Sequence, residues 1–61
     1  MVRATDMTRL QQMRIRLRND RTWLDEGDIS FLYVPELDEA SEALQEAEDA
    51  VARAIASLGD Q

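Results

Sequence analysis

The chain has 61 residues, a net charge of −6, and neither Cys nor His. It therefore has no disulfide and lacks the thiolate and imidazole groups that most often bind metals. Lys is absent as well, so the usual near-neutral bases and the amine and thiol nucleophiles are missing. The composition predicts a non-catalytic protein with no metal and no cofactor. A chain this short buries only about 60% of its unfolded surface, so its stability depends on close packing, self-association or a partner.

The distribution of apolar residues predicts a cytoplasmic protein. No stretch approaches the roughly 20 apolar residues that cross a bilayer. The N-terminal segment "MVRATDMTRLQQ" also lacks the apolar core of a signal peptide. We therefore expect no association with a membrane.

Charge is divided unevenly along the chain. Residues 1–24 contain six arginines and two acids, whereas residues 25–61 contain eleven acids and one arginine. Such an asymmetry indicates either pairing of charges within the molecule or a charged interaction surface.

The first twelve residues have two interpretations. Thr5 or Asp6 is of the type that caps a helix, and Met7 and Leu10 would then lie on one side of a short N-terminal helix. Alternatively, residues 1–12 form an arm ahead of the domain.

The segment "MRIRLR", residues 13–18, alternates apolar and charged residues, which predicts a β-strand. Asn19 and Asp20 suit a two-residue hairpin turn. Residues 21–24 then form a second strand that is antiparallel to the first. The rival interpretation is a two-stranded hairpin in which residues 19–28 form one long loop.

A third strand is predicted at residues 29–34, "ISFLYV", which are rich in β-branched and aromatic types. Gly27 is available for a left-handed position in the preceding turn. The register of this sheet gathers apolar side chains on one face, as a covered sheet requires. These side chains belong to Met13, Ile15, Leu17, Leu24, Ile29, Phe31 and Tyr33.

A long helix is predicted at residues 36–58, because Pro35 suits a helix start and Gly59 suits a C-cap. Its apolar residues recur every seven positions, with alanines between them. This stripe either packs on the covered sheet face, which we favour, or forms a seam with another helix. The stripe consists of Leu37, Leu44, Val51 and Leu58, with Ala40, Ala47 and Ala54 between them.

These elements predict an α+β fold: a three-stranded antiparallel sheet with one C-terminal helix packed on one face. The compact domain covers residues 13–61. The alanines of the helix, together with Leu32 and Val34 on the outer sheet face, indicate a weak homodimer.

The exposed face of the predicted helix is nearly all negative. Like charges at three- and four-residue spacing destabilise a helix, and a face that served only solubility would gain ion pairs by mixing signs. We therefore predict that these carboxylates bind a partner, with a merely solvated face as the alternative. They are Glu36, Asp38, Glu39, Glu42, Glu46 and Asp49.

A rod of carboxylates suits a protein groove built to hold phosphates, and electrostatic attraction would steer it there. Three arginines of the first predicted strand and one aromatic residue are of the types that hold nucleic acid: Arg14, Arg16, Arg18 and Trp23. Nucleic-acid-binding domains are usually basic overall, however, and this chain is acidic. The expected partner is a protein with a basic nucleic-acid-binding groove, and we expect no direct binding of nucleic acid.

Two resemblances accompany these features. The segment "LDEGDISFLYVPEL", residues 24–37, and the Glu/Ala-rich helix after it resemble HicB-type antitoxins, which implies an antitoxin-like or other small adaptor that binds through its apolar surface. The small size and uncompensated carboxylates are similar to phage-encoded DNA mimics, including some anti-CRISPR proteins. That resemblance implies an inhibitor that occupies a nucleic-acid-binding site in the host cell, and it is the function we predict.

Overall fold

The computed structural model describes residues 3–60, which form a helical hairpin. Helix α1 covers Ala4–Glu26, helix α2 covers Pro35–Gly59, and a short 3₁₀ helix, Asp28–Leu32, lies in the connection. The hairpin is a thin rod whose Cα atoms extend over 45 × 15 × 11 Å. Neither α-helix of the described chain is long and apolar enough to cross a membrane.

Helix α1 replaces the first two predicted strands. No Gly or Pro lies before residue 27, and Arg, Leu, Gln and Met all have good helix propensity. The helix begins after Arg3, which makes no side-chain capping hydrogen bond. Thr5 and Asp6 therefore lie inside the first turn rather than at the cap. A helix is present where a short one was an alternative, but it continues to Glu26.

The predicted three-stranded sheet is wrong, because no strand occurs within residues 3–60. Residues 13–18 and 21–24 belong to α1, and so do Asn19 and Asp20, which rules out both the hairpin turn and the rival two-stranded hairpin. The predicted third strand at 29–34 is mostly 3₁₀ helix.

The α+β class is therefore corrected to an all-helical hairpin. The strand on which the resemblance to HicB-type antitoxins depends is absent from this region. The predicted domain boundary between residues 12 and 13 falls within α1, while residues 1, 2 and 61 of the predicted ranges lie outside the described chain.

The physical reason for this error is an ambiguous apolar pattern. The alternation in residues 13–18 fits a strand, but Leu10, Leu17 and Leu24 also recur every seven residues. Seven residues are close to two helical turns, so these three leucines lie on one side of α1. All three are half-buried, whereas Met13 and Ile15 are exposed. The helical period, not the alternation, matches the observed burial.

Helix α2 agrees with the helix predicted at residues 36–58. Pro35 occupies the start of the helix, where its missing N–H costs nothing. Gly59 is the last helical residue rather than the cap, and Asp60 is the C-cap. Neither Gly27 nor Gly59 has a positive φ, so the predicted left-handed role of Gly27 is wrong.

The two helices meet along a seam of half-buried side chains, and α2 packs on α1 instead of on a sheet. No apolar residue between positions 3 and 60 is fully buried. The hairpin therefore has a line of apolar contacts but no enclosed core. From α1 the seam includes Met7, Leu10, Leu17, Arg21 and Leu24, and from α2 it includes Leu37, Ser41, Leu44, Glu48, Val51, Ile55 and Leu58.

The connection between the helices is tight at Gly27. The Gly27 N–H donates to the Trp23 carbonyl oxygen over 2.8 Å, and the Ser30 hydroxyl donates to the Gly27 carbonyl oxygen over 2.7 Å. A Cβ atom at position 27 would overlap the Trp23 carbonyl oxygen and approach Cδ1 of the Trp23 ring to 3.1 Å. A glycine is needed here for close approach.

Candidate functional site: the acidic face and the hairpin tip

All six predicted carboxylates lie on α2 and are exposed. Asp38, Glu42, Glu46 and Asp49 follow one another at intervals of four, four and three residues, so they form one line along the helix. Glu36 and Glu39 form a second, shorter row in the first turns. Together the six residues, which we call the acidic face, span about 20 Å of helix at 1.5 Å per residue.

No residue of the acidic face forms an ion pair within the described part of the chain. The chain has seven arginines, yet both ion pairs found among residues 3–60 are made by Glu48, which is not on the acidic face. Arg53 lies four residues after Asp49 without pairing with it in the described chain. Each like-charge pair at helical spacing costs roughly 0.2 to 0.5 kcal/mol, so the face carries an uncompensated repulsion.

Glu48 is the one buried residue in the described part of the chain, with 6% of its surface exposed. Its Oε1 accepts a hydrogen bond from Arg18 Nε over 3.1 Å. Its Oε2 lies 3.5 Å from Arg21 Nη2 but accepts no hydrogen bond. A buried carboxylate without a positive partner is strongly unfavourable. The cluster therefore favours the register in which Arg18 and Arg21 lie level with Glu48.

Sequence reasoning missed this cluster, although the heptad spacing contained the signal. Glu48 follows Leu44 by four residues, as Ser41 follows Leu37, and so it belongs to the seam side of α2 rather than to the acidic face. Arg21 follows Leu17 by four residues in the same way on α1. A second link along the seam joins the Ser41 hydroxyl to Asp25 Oδ1, to which it donates over 2.7 Å.

A second unexplained surface lies at the tip of the hairpin. Residues 31–34, "FLYV", are all exposed, with 72% of Phe31 and 87% of Tyr33 accessible. Tyr33 has φ 54° and ψ 41°, a left-handed conformation that is unusual for a bulky residue. The tyrosine side chain is not buried by adopting this conformation. The tip therefore displays apolar side chains at some cost in backbone energy.

The arrangement has two prominent exposed surfaces, the acidic face and residues 31–34 at the tip. No group of three or more acidic side chains in residues 3–60 is arranged to hold a metal ion. Comparisons with protein-family models, with curated proteins and with solved structures found no match.

Proposed function

We propose that this protein is a non-catalytic cytoplasmic inhibitor whose acidic face occupies and blocks a basic, nucleic-acid-binding groove of a partner protein. A phage-encoded DNA mimic of the anti-CRISPR type would act in this way in its host. One observation carries the proposal: six carboxylates on one helix are exposed and make no ion pair within residues 3–60, although the chain has seven arginines.

The helix presents these charges in a form that suits such a groove. A carboxylate occurs roughly every 3 Å along the acidic face, compared with one charge per about 1.7 Å of duplex DNA. The Cα atoms of the hairpin extend over only 15 × 11 Å across its length, so a cleft that accepts nucleic acid could admit its acidic side. Attraction between the acidic face and a basic groove would also accelerate the encounter at low salt.

A second candidate function is that of a small adaptor that binds through apolar surface. The exposed residues 31–34 favour it, because Phe31 and Tyr33 lie at the tip without internal packing. In this case the acidic face is only a solvated surface.

Charge reversal on α2 tests the first candidate. Partners retained from host lysate at low salt would be purified, and their affinities would be measured for the original protein and for a variant with Glu39→Lys, Glu42→Lys and Glu46→Lys. We expect the affinity to fall by orders of magnitude, and the original complex to weaken steeply between low and physiological salt. Duplex DNA should displace the original protein from its partner.

A matched control keeps the net charge change but moves it to α1. Asp6→Lys, Asp20→Lys and Glu26→Lys reverse three exposed acids outside the acidic face. We expect this control to retain most of the affinity. Equal losses in both triple variants would mean that only total charge matters. An unchanged affinity in the α2 variant would leave the adaptor as the better candidate.

A further inference from the structure

The hairpin exposes more surface than a compact protein of its size. Its accessible area is 5026 Å², whereas a folded monomer of 7.0 kDa exposes about 4,000 Å². The excess of about 1,000 Å² is close to the roughly 800 Å² that each partner buries in a standard protein interface. No apolar side chain in residues 3–60 is fully buried. The excess exposed area of this two-helix layer is therefore about the area that one protein interface would cover.

One broad side of the hairpin, which we call the open face, has the composition of a packing surface. Both of its rows follow three- and four-residue spacing, so each row lies along one side of its helix. The α1 row consists mostly of long side chains, and the α2 row consists of alanines that follow Glu36 at the same spacing. All of these residues are exposed or half-buried. The α1 row is Arg9, Met13, Arg16, Asp20 and Trp23, and the α2 row is Ala40, Ala43, Ala47, Ala50 and Ala54.

A groove between the helices opens on this side. Arg9, Leu10 and Met13 of α1 line it together with Leu58 of α2, around a volume of about 380 Å³. The opposite side differs, because Arg14 and Arg18 flank Ile55 there. On the open face Asp6 and Arg9 carry charges of opposite sign at the edge of the groove, whereas both charged residues on the opposite side are arginines.

We propose that a second copy of the chain covers the open face and completes an antiparallel four-helix bundle, with α1 of each copy on α2 of the other. In this arrangement the long side chains of the α1 row lie on the alanine floor of the α2 row. The stems of the arginines cover the alanines while their guanidinium groups reach the solvent edge. The two tips lie at the same end of the bundle.

Charge selects this arrangement over its alternative. Helix α1 carries five arginines and four acids, a net of +1, whereas α2 carries one arginine and seven acids, a net of −6. Placing α1 on α1 and α2 on α2 would bring the two strongly negative helices together. Placing α1 on α2 avoids this repulsion and brings the helix with a net charge of +1 against the helix with a net charge of −6.

The contacts along the seam show which residues of α1 and α2 lie at the same height along the hairpin axis. Arg18 lies level with Glu48 and Asp25 lies level with Ser41. A two-fold axis parallel to the helices preserves these levels between copies, so Met13 of one copy meets Ala54 of the other. The same axis brings both copies of residues 31–34 together at one end, where their exposed apolar side chains can cover one another.

This inference goes beyond the proposed function and does not depend on it. Asp38, Glu42 and Asp49 point away from the open face, whereas Glu39 and Glu46 lie at its edge and Glu36 continues the alanine row. The dimer would therefore keep the outward part of each acidic face accessible. Loss of the dimer and loss of partner binding are measured separately.

Sedimentation equilibrium of two matched variants tests the interface. Ala54 lies on the open face and Ala56 on the opposite side, and both are exposed in the hairpin. We expect Ala54→Glu to weaken the dimer at least about tenfold, since it crowds and charges the alanine floor, while Ala56→Glu leaves it unchanged. Helical circular dichroism of both variants checks that the hairpin persists. A strictly monomeric original protein at high micromolar concentration, or equal effects of the two variants, would overturn the proposal.

The absence of cysteine allows a second test of the arrangement. Mixed Met13→Cys and Ala54→Cys chains should form a disulfide-linked dimer on mild oxidation, whereas mixed Met13→Cys and Ala56→Cys chains should not. Efficient linkage of two Met13→Cys chains to each other would indicate α1 on α1 and would overturn the assigned arrangement. Fluorescence of the single tryptophan, Trp23, should shift to shorter wavelength as the chain concentration rises.

Discussion

The two helices of this hairpin are similar in length but divide their surfaces differently. Helix α2 has an apolar stripe on one side and carboxylates on the other, so its orientation follows from its own pattern. Helix α1 places Leu10, Leu17 and Leu24 on the seam but leaves Met13, Ile15 and Trp23 at least 41% exposed. The comparison teaches that the sequence pattern of α2 determines which side of each helix faces the seam. Helix α1 buries only some of its apolar residues there, and a further partner can cover the rest.

The largest effect is expected from placing a charge on the seam side of α1. Leu17→Asp puts an unpaired carboxylate among half-buried apolar side chains, and we expect it to cost about 3 kcal/mol or more and to unfold most of the chain. Ile15→Asp, two residues away, changes a side that is 59% exposed and should leave the hairpin folded. Circular dichroism during urea unfolding measures both. Unfolding by Ile15→Asp as well would contradict the position of α1.

The next largest effect on the free energy of unfolding is expected from removing an arginine that contacts Glu48. Arg21 of α1 points inward to Glu48, whereas Arg53 of α2 makes no ion pair in the described chain. Arg21→Ala should lower the free energy of unfolding by about 1 to 3 kcal/mol, because Glu48 loses one of its two positive neighbours. Arg53→Ala should change it by less than about 0.5 kcal/mol. If the two variants were equally stable, the Glu48 cluster would have no energetic role.

A smaller effect distinguishes the ends of the helices. Gly27 follows α1 and has no room for a Cβ atom, so Gly27→Ala should destabilise the hairpin by about 1 to 2 kcal/mol. Gly59 ends α2 with nothing within 4 Å of an added Cβ, and Gly59→Ala should stabilise the hairpin by about 0.5 kcal/mol. Thermal unfolding of the two variants should therefore shift in opposite directions. Shifts of the same sign would show that the Trp23–Gly27 contact does not constrain the turn.

The smallest effect is expected at the tip between the helices. Tyr33 adopts a left-handed conformation that glycine adopts freely, so Tyr33→Gly should stabilise the isolated hairpin by up to about 1 kcal/mol. Phe31 lies inside the 3₁₀ helix with a negative φ, and Phe31→Gly should not be stabilising. Chemical unfolding at low chain concentration measures the hairpin alone. A loss of stability in Tyr33→Gly would mean that the tyrosine ring has packing that outweighs its backbone cost.

Helix α2 and its exposed acids were within reach of the sequence. Pro35 can start a helix but not continue a strand, and an apolar residue every seven positions over three repeats suits only a helix. The exposure of five of the six acids follows from the same geometry, because their positions lie opposite the stripe. They are Asp38, Glu39, Glu42, Glu46 and Asp49. These features are local, so neighbouring residues were sufficient to predict them.

The secondary structure of residues 13–34 was decided by tertiary contacts. The six residues "MRIRLR" are too few for their apolar pattern to distinguish a strand from a helix. The secondary structure they adopt depends on the element that packs against them. Here α2 offers a helical stripe, and Leu10, Leu17 and Leu24 match it. The burial of Glu48 was decided in the same way, because a carboxylate becomes a seam residue only where arginines of another helix meet it. The spacing from Leu44 places Glu48 on the seam side of α2, but Arg18 lies 30 positions away along the chain, so only the tertiary contact decides that the carboxylate is buried.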